Sequence, residues 1–148
     1  MGHITTKTGS WKFTYRSHNI NNSMTLTSLV KIRDASKGEL TGDTLKALLG
    51  EVPVPEGAEE GECLNWVINA VKHLSDAGVV TLSNSDGLRQ EFATFCAGNK
   101  QYASRTRYPN LKASEYCTWS VVETVADARM ILRLMFDDRT DLREKCNV

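Results

Sequence analysis

The residue types that could do chemistry begin with a thiol. Cys63 stands in Glu62-Cys63-Leu64-Asn65-Trp66-Val67, where a strongly patterned apolar segment opens. The free amides and the macrodipole of a helix start both favour a thiolate. The same position suits any small apolar side chain. A nucleophilic cysteine needs a base within hydrogen-bond reach, and the chain has three histidines. His73 lies ten residues along the same segment, about 15 Å along a helix axis, too far to serve Cys63. His18 falls in the polar run Ser17–Ser23 and reads as solvent-exposed. That leaves His3 as the candidate base. Asn65 and Trp66, beside the thiol, are the candidate substrate-binding residues. Asn65 or Asn69 at an imidazole is the remaining option for orienting it, against the plainer reading of both as solvated helix positions.

The local charge opposes activation. Glu56, Glu59, Glu60 and Glu62 crowd the approach to Cys63, and like-sign charge disfavours a thiolate. One exposed carboxylate at about 5–6 Å contributes at most roughly 1 kcal/mol, comparable to the helix-dipole benefit. The two effects about cancel.

The elements that must position these groups follow from periodicity. Leu64, Val67, Ile68, Val71 and Leu74 recur at i, i+3, i+4, i+7 and i+10, one stripe of a helix. Asp76-Ala77-Gly78 stops that helix, Gly78 suiting a left-handed C′ position. Upstream, Trp11, Phe13 and Tyr15 alternate with Lys12, Thr14 and Arg16, the period of a half-buried strand. Thr8-Gly9-Ser10 turns an earlier strand, Ile4–Lys7, into it. Met24–Arg33 reads as a third strand. Thr41 is an N-cap candidate for a helix bearing Leu45, Leu48 and Leu49 and stopped by Gly50. The prolines of Val52-Pro53-Val54-Pro55 enforce extended chain. Val79–Leu82 is a short strand or extended link. Ser85 or Asp86 caps a helix of about 87–97, with Leu88, Phe92 and Phe95 inward. Asn99–Leu111 reads as an irregular basic loop, solvated rather than nucleic-acid-binding. A last helix is expected over Ser114–Asp137, its apolar residues spread widely enough to predict a homodimer through it.

The totals fit a single α+β domain over residues 1–148, a small antiparallel sheet from the N-terminal third followed by a helical C-terminal part. Formal net charge is zero, 18 basic against 18 acidic residues, which points away from nucleic acid. No apolar run approaches a membrane span. The four cysteines are widely spaced with no CxxC, so neither a metal site nor a disulfide framework is expected, and a cytoplasmic location follows as the default. Phosphate loops and nucleotide fingerprints are absent from the sequence, so no cofactor is expected. Met1-Gly2-His3-Ile4-Thr5-Thr6 fits the loose N-myristoylation pattern, and Asn21-Asn22-Ser23 is a sequon without a secretory signal.

Taken together, Leu29-Val30-Lys31-Ile32, the helix ending in Val52-Pro53-Val54-Pro55, and Cys63-x-x-Trp66-Val67, with the aromatic strand Trp11-Lys12-Phe13, resemble a group of small fungal proteins. That group is similar in turn to the circularly permuted papain-like (NlpC/P60) superfamily, which includes lecithin:retinol acyltransferase-like and PPPDE-type proteins. The resemblance covers about residues 2–100. It implies a permuted papain-like fold with histidine-bearing strands ahead of a cysteine helix, Cys63 as nucleophile and His3 as base. The family's His-Trp pair has no counterpart ahead of His3. The expectation is therefore a non-catalytic or degenerate member binding a protein or small molecule. The alternatives are a cysteine acyltransferase, amidase or peptidase, and an unrelated α+β oligomerisation module.

Overall fold

The computed structural model describes residues 2–5, 10–16, 26–34, 38–57, 61–104 and 106–118. Its α+β class is as expected: three helices stand among short strands. Strand β1 (Gly2–Thr5) pairs antiparallel with β2 (Lys12–Tyr15), Ile4 opposite Phe13 and His3 opposite Thr14. Alternation then puts Gly2, Ile4, Phe13 and Tyr15 on one face and His3 and Thr14 on the other. A larger side chain at position 2 would have to displace Leu49 or Phe13. A Cβ there would stand 2.8 Å from Leu49 Cδ1 and 3.0 Å from a Phe13 ring carbon.

Strand β3 (Ser28–Lys31) is shorter than expected and deeply buried at Ser28, Leu29 and Val30. Helix α1 (Gly42–Gly50) starts as its sequence predicts, the Thr41 hydroxyl accepting from the Thr44 amide at 3.2 Å. It buries Leu49.

Helix α2 (Glu62–Asp76) is the central element. It buries Cys63, Trp66, Val67, Ile68, Ala70, Val71 and Leu74, an arc wider than the expected stripe because α1, α3 and the β1–β2 hairpin all meet it. Val67, Ile68, Val71 and Leu74 each add about 1.5–3 kcal/mol when fully buried, so packing outweighs any cap. The helix ends in a Schellman motif: the Val79 amide donates to Leu74 O at 2.8 Å and the Gly78 amide to Ser75 O at 2.9 Å. Gly78 has φ +70°, the left-handed conformation expected of it.

Strand β4 (Thr81–Leu82) follows, then α3 (Ser85–Ala97). The cap of α3 is Asn84, not Ser85 or Asp86: its Oδ1 accepts from the Asp86 and Gly87 amides, each at 3.0 Å. An extended Asn84 (φ −153°, ψ 113°) places its short carboxamide over those amides, which leaves Ser85 inside the first turn.

Two expectations fail beyond α3. The stretch Asn99–Leu111 is not irregular throughout, since a 3-10 turn occupies Lys100–Tyr102 and strand β5 (Asn110–Ala113) begins inside it. β5 runs parallel to β3, Ser28 opposite Asn110 and Lys31 opposite Ala113. The helix expected from Ser114 does not start there either. Ser114 Oγ does accept from the Tyr116 and Cys117 amides, at 3.1 and 3.2 Å, as a cap would. The chain then extends into β6 (Cys117–Thr118), whose pairing with β4 replaces helical bonds. The rest of that expected helix, and with it the homodimer surface, lies outside the described residues. The described strands thus form three separate pairs, β1–β2, β3–β5 and β4–β6. No described helix is long and apolar enough to cross a membrane.

Candidate functional site

The sequence-predicted site residues are placed by two elements. Cys63 lies in the first turn of α2 and is 7% exposed, His3 lies in β1 and is 5% exposed. The cap residue of α2 is Gly61, held at φ +83°, which brings no side chain to the first-turn amides. Trp66 is fully engaged by the fold. It is 3% exposed, its ring centroid is 5.8 Å from that of Phe13, and its Nε1 donates to Val52 O at 3.4 Å. Asn65 is not simply a solvated helix residue: its Nδ2 reaches Glu62 Oε1 at 3.4 Å and its Oδ1 accepts from Arg89 Nη1, tying α2 to α3. Asn69 is exposed, as expected. His73 Nε2 faces Glu51 Oε2 at 3.1 Å across α1 and α2. His18 and the sequon asparagine lie outside the described residues.

A second constellation, unmarked in the sequence reading, lies between α3 and β5. Here a cleft of about 500 Å³ is lined by Gln90, Thr94, Asn99, Asn110, Lys112 and Tyr116, among others. At its floor Glu91 is 8% exposed. Its Oε2 accepts from the Ser114 hydroxyl at 2.7 Å, and its Oε1 from the Glu115 amide and Lys112 Nζ, both at 3.0 Å. Burial alone would push the Glu91 carboxyl up, but the Ser114, Glu115 and Lys112 donors together hold it below the usual carboxylate range. A carboxylate kept ionised this way is no general acid. Lys112 also meets Glu115 Oε1 at 2.9 Å, and the Glu115 and Glu91 contacts raise its ammonium.

Behind the cleft, Asn99 is 4% exposed and donates through Nδ2 to Ser28 Oγ at 3.1 Å and to Phe95 O at 2.8 Å. Its Oδ1 accepts from Asn110 Nδ2 at 2.9 Å. This network joins β3, the end of α3 and β5. Two further thiols border these groups. Burial pushes Cys96 up to about 11, against a lowering contact with Ser28. Cys117 is likewise raised, first by burial, with Ser114 lowering it and Glu91 adding to the rise. Cys63, Cys96 and Cys117 carry reduced thiols, outside any disulfide. Among the described residues, no three His, Cys, Asp or Glu gather in a way that would hold a metal ion.

One sequence signal did point at the cleft. Glu91 falls at i+3 from Leu88 and at i−4 from Phe95, on the apolar stripe of α3, and a charged residue there demands buried partners. Asn99, Asn110 and Ser114 carry no comparable mark, because their partners come from distant segments. Comparison with family models, with curated proteins and with solved structures finds no match.

Proposed function

We propose that the chain is a ligand-binding module, a non-catalytic form of the thiol fold its motifs resemble, and that its ligand enters the cleft between α3 and β5. One observation carries this reading. The two side chains expected to meet a substrate beside Cys63 are already held by the fold, Trp66 by Phe13 and Val52 and Asn65 by Glu62 and Arg89, whereas the cleft gathers polar side chains around open volume. Small-molecule sites have this character, a concave surface with a few convergent polar groups. Reduced thiols at Cys63, Cys96 and Cys117 fit a reducing compartment, so the proposed setting is cytosolic.

Iodoacetamide labelling of the native chain at pH 7 tests the proposal. Cys63 is expected to label more slowly than free glutathione, and all thiols are expected to label alike in urea. The uncapped start of α2 favours a second reading, a cysteine acyltransferase, amidase or peptidase with Cys63 as nucleophile and His3 as base. Labelling of Cys63 faster than glutathione, lost in His3→Ala, would establish that reading instead.

A further inference from the structure

We propose that the ligand of the α3–β5 cleft is a neutral, polyhydroxylated molecule of the sugar class, an inference that rests on the binding-module reading. One ammonium, Lys112, meets two carboxylates in the cleft, the buried Glu91 and the exposed Glu115. Both Glu91 oxygens are occupied, by Ser114, the Glu115 amide and Lys112, and the Lys112 ammonium bridges Glu91 and Glu115. An anionic ligand would have to draw Lys112 away from the buried Glu91. The Glu115 side chain is 70% exposed, so water screens its excess charge.

What the cleft offers beyond those pairs is uncharged. Gln90 and Thr94 stand one turn apart on the α3 wall, Gln90 Nε2 donating to Thr94 Oγ1 at 3.2 Å. Asn110 stands on the opposite wall, held from behind by the buried Asn99, whose Oδ1 accepts from Asn110 Nδ2 while its own Nδ2 is spent on Ser28 and Phe95 O. A carboxamide is donor and acceptor at once, and so is a hydroxyl. Vicinal hydroxyls can therefore pair with such a wall without leaving an orphaned group, which an apolar or singly charged ligand cannot do. Phe95 and Tyr116 add ring surface for the C–H face of a sugar. The Tyr116 ring is built into place, since it lies where a Cβ on Gly87 would be, 2.4 Å from Cε1. The volume of about 500 Å³ falls in the ~300–1,000 Å³ range of small-molecule sites.

The test is a ¹⁵N NMR titration of the full chain with glucose, galactose and N-acetylglucosamine, and with glucuronate and glucosamine as charged counterparts. A neutral sugar is expected to shift the side-chain amides of Gln90, Asn99 and Asn110, with a Kd on the order of 1 mM. Charged counterparts are expected to bind at least about tenfold more weakly. Gln90→Leu combined with Thr94→Val, both at exposed positions, should weaken the sugar about tenfold or more with the spectrum otherwise unchanged. Shifts at the cleft from the charged sugars alone overturn the neutral assignment and leave the binding module standing. Shifts that gather at Cys63 and Trp66, or none from any of the five compounds at the cleft, overturn the sugar assignment, and the Cys63 pattern overturns the module reading with it.

Discussion

The start of α2 and the α3–β5 cleft use polar residues in opposite ways. At Cys63 the neighbouring side chains close on each other: Trp66 on Phe13 and Val52, Asn65 on Glu62 and Arg89. In the cleft, Glu91 and Asn99 are as deeply buried, but their bonds fix a wall that borders open space. The difference is one of origin. Cys63, Asn65 and Trp66 all stand in the first turns of one amphipathic helix packed on its neighbours, so they share the fate of the core. The cleft is made by a strand, β5, that returns after three helices to lie beside β3. Residues brought together by such a crossover border two elements that do not interlock fully, and a recess results.

The comparison breaks most readily at Trp66. If the indole belongs to the core, Trp66→Ala removes a buried ring and a hydrogen bond and should lower stability by about 3–5 kcal/mol. If it is a substrate wall, the same change should leave the urea midpoint nearly unmoved. Equilibrium urea unfolding decides between the two, and a loss below about 1 kcal/mol would move the α2 site back among the candidates.

Glu91 sharpens the other side. Glu91→Gln keeps the shape and removes the charge that Lys112, Ser114 and the Glu115 amide answer, with an expected cost of about 2 kcal/mol at pH 7. The pH dependence has a definite sign. The folded carboxyl sits below its ordinary 4.5, so the native state binds fewer protons than the unfolded one as pH falls through this range. Its contribution is fully present above about pH 4.5 and is lost as pH falls through the lower folded value. The gap between wild type and Glu91→Gln should therefore narrow between neutral pH and about pH 3. A gap that stays constant would mean the carboxyl is not held ionised, and the cleft would lose its floor.

What the sequence made legible is local. The strand around Phe13, the Thr41 cap, the α2 stripe and the Gly78 stop each depend on residues within a few positions, and all four appear. What it hid is non-local. Nothing near Asn110 marks it as the partner of Ser28, 82 positions away, because parallel pairing leaves no turn between the strands. Ser114 reads as the start of a helix, but the chain after it pairs with β4, Cys117 opposite Leu82, a partner 35 positions away that no local signal marks. Gly2 is the reverse case. It stands in a loose acylation pattern, and the fold adds a packing reason for glycine there, against Leu49 and Phe13.

Gly87→Ala gives the smallest expected change and the clearest sign. Position 87 lies in the first turn of α3, where helix propensity alone predicts a gain of up to about 1 kcal/mol from alanine. Against this stands the Tyr116 ring, whose Cε1, Cζ and Cδ1 would be 2.4, 2.6 and 2.7 Å from the new methyl. The Tyr116 backbone is held by its carbonyl, which accepts from the Ser83 amide at 2.8 Å and from Ser83 Oγ at 2.9 Å, so relief must come from the ring leaving its present rotamer. Overpacking of this kind costs about 1–3 kcal/mol, so the net expectation is a loss of about 1 kcal/mol. Thermal unfolding reads the sign directly. Adding Tyr116→Ala should restore the benefit of alanine at position 87, a coupling that a double-mutant cycle measures. If Gly87→Ala is stabilising by itself, the ring does not rest on α3, and the aromatic wall of the cleft goes with it.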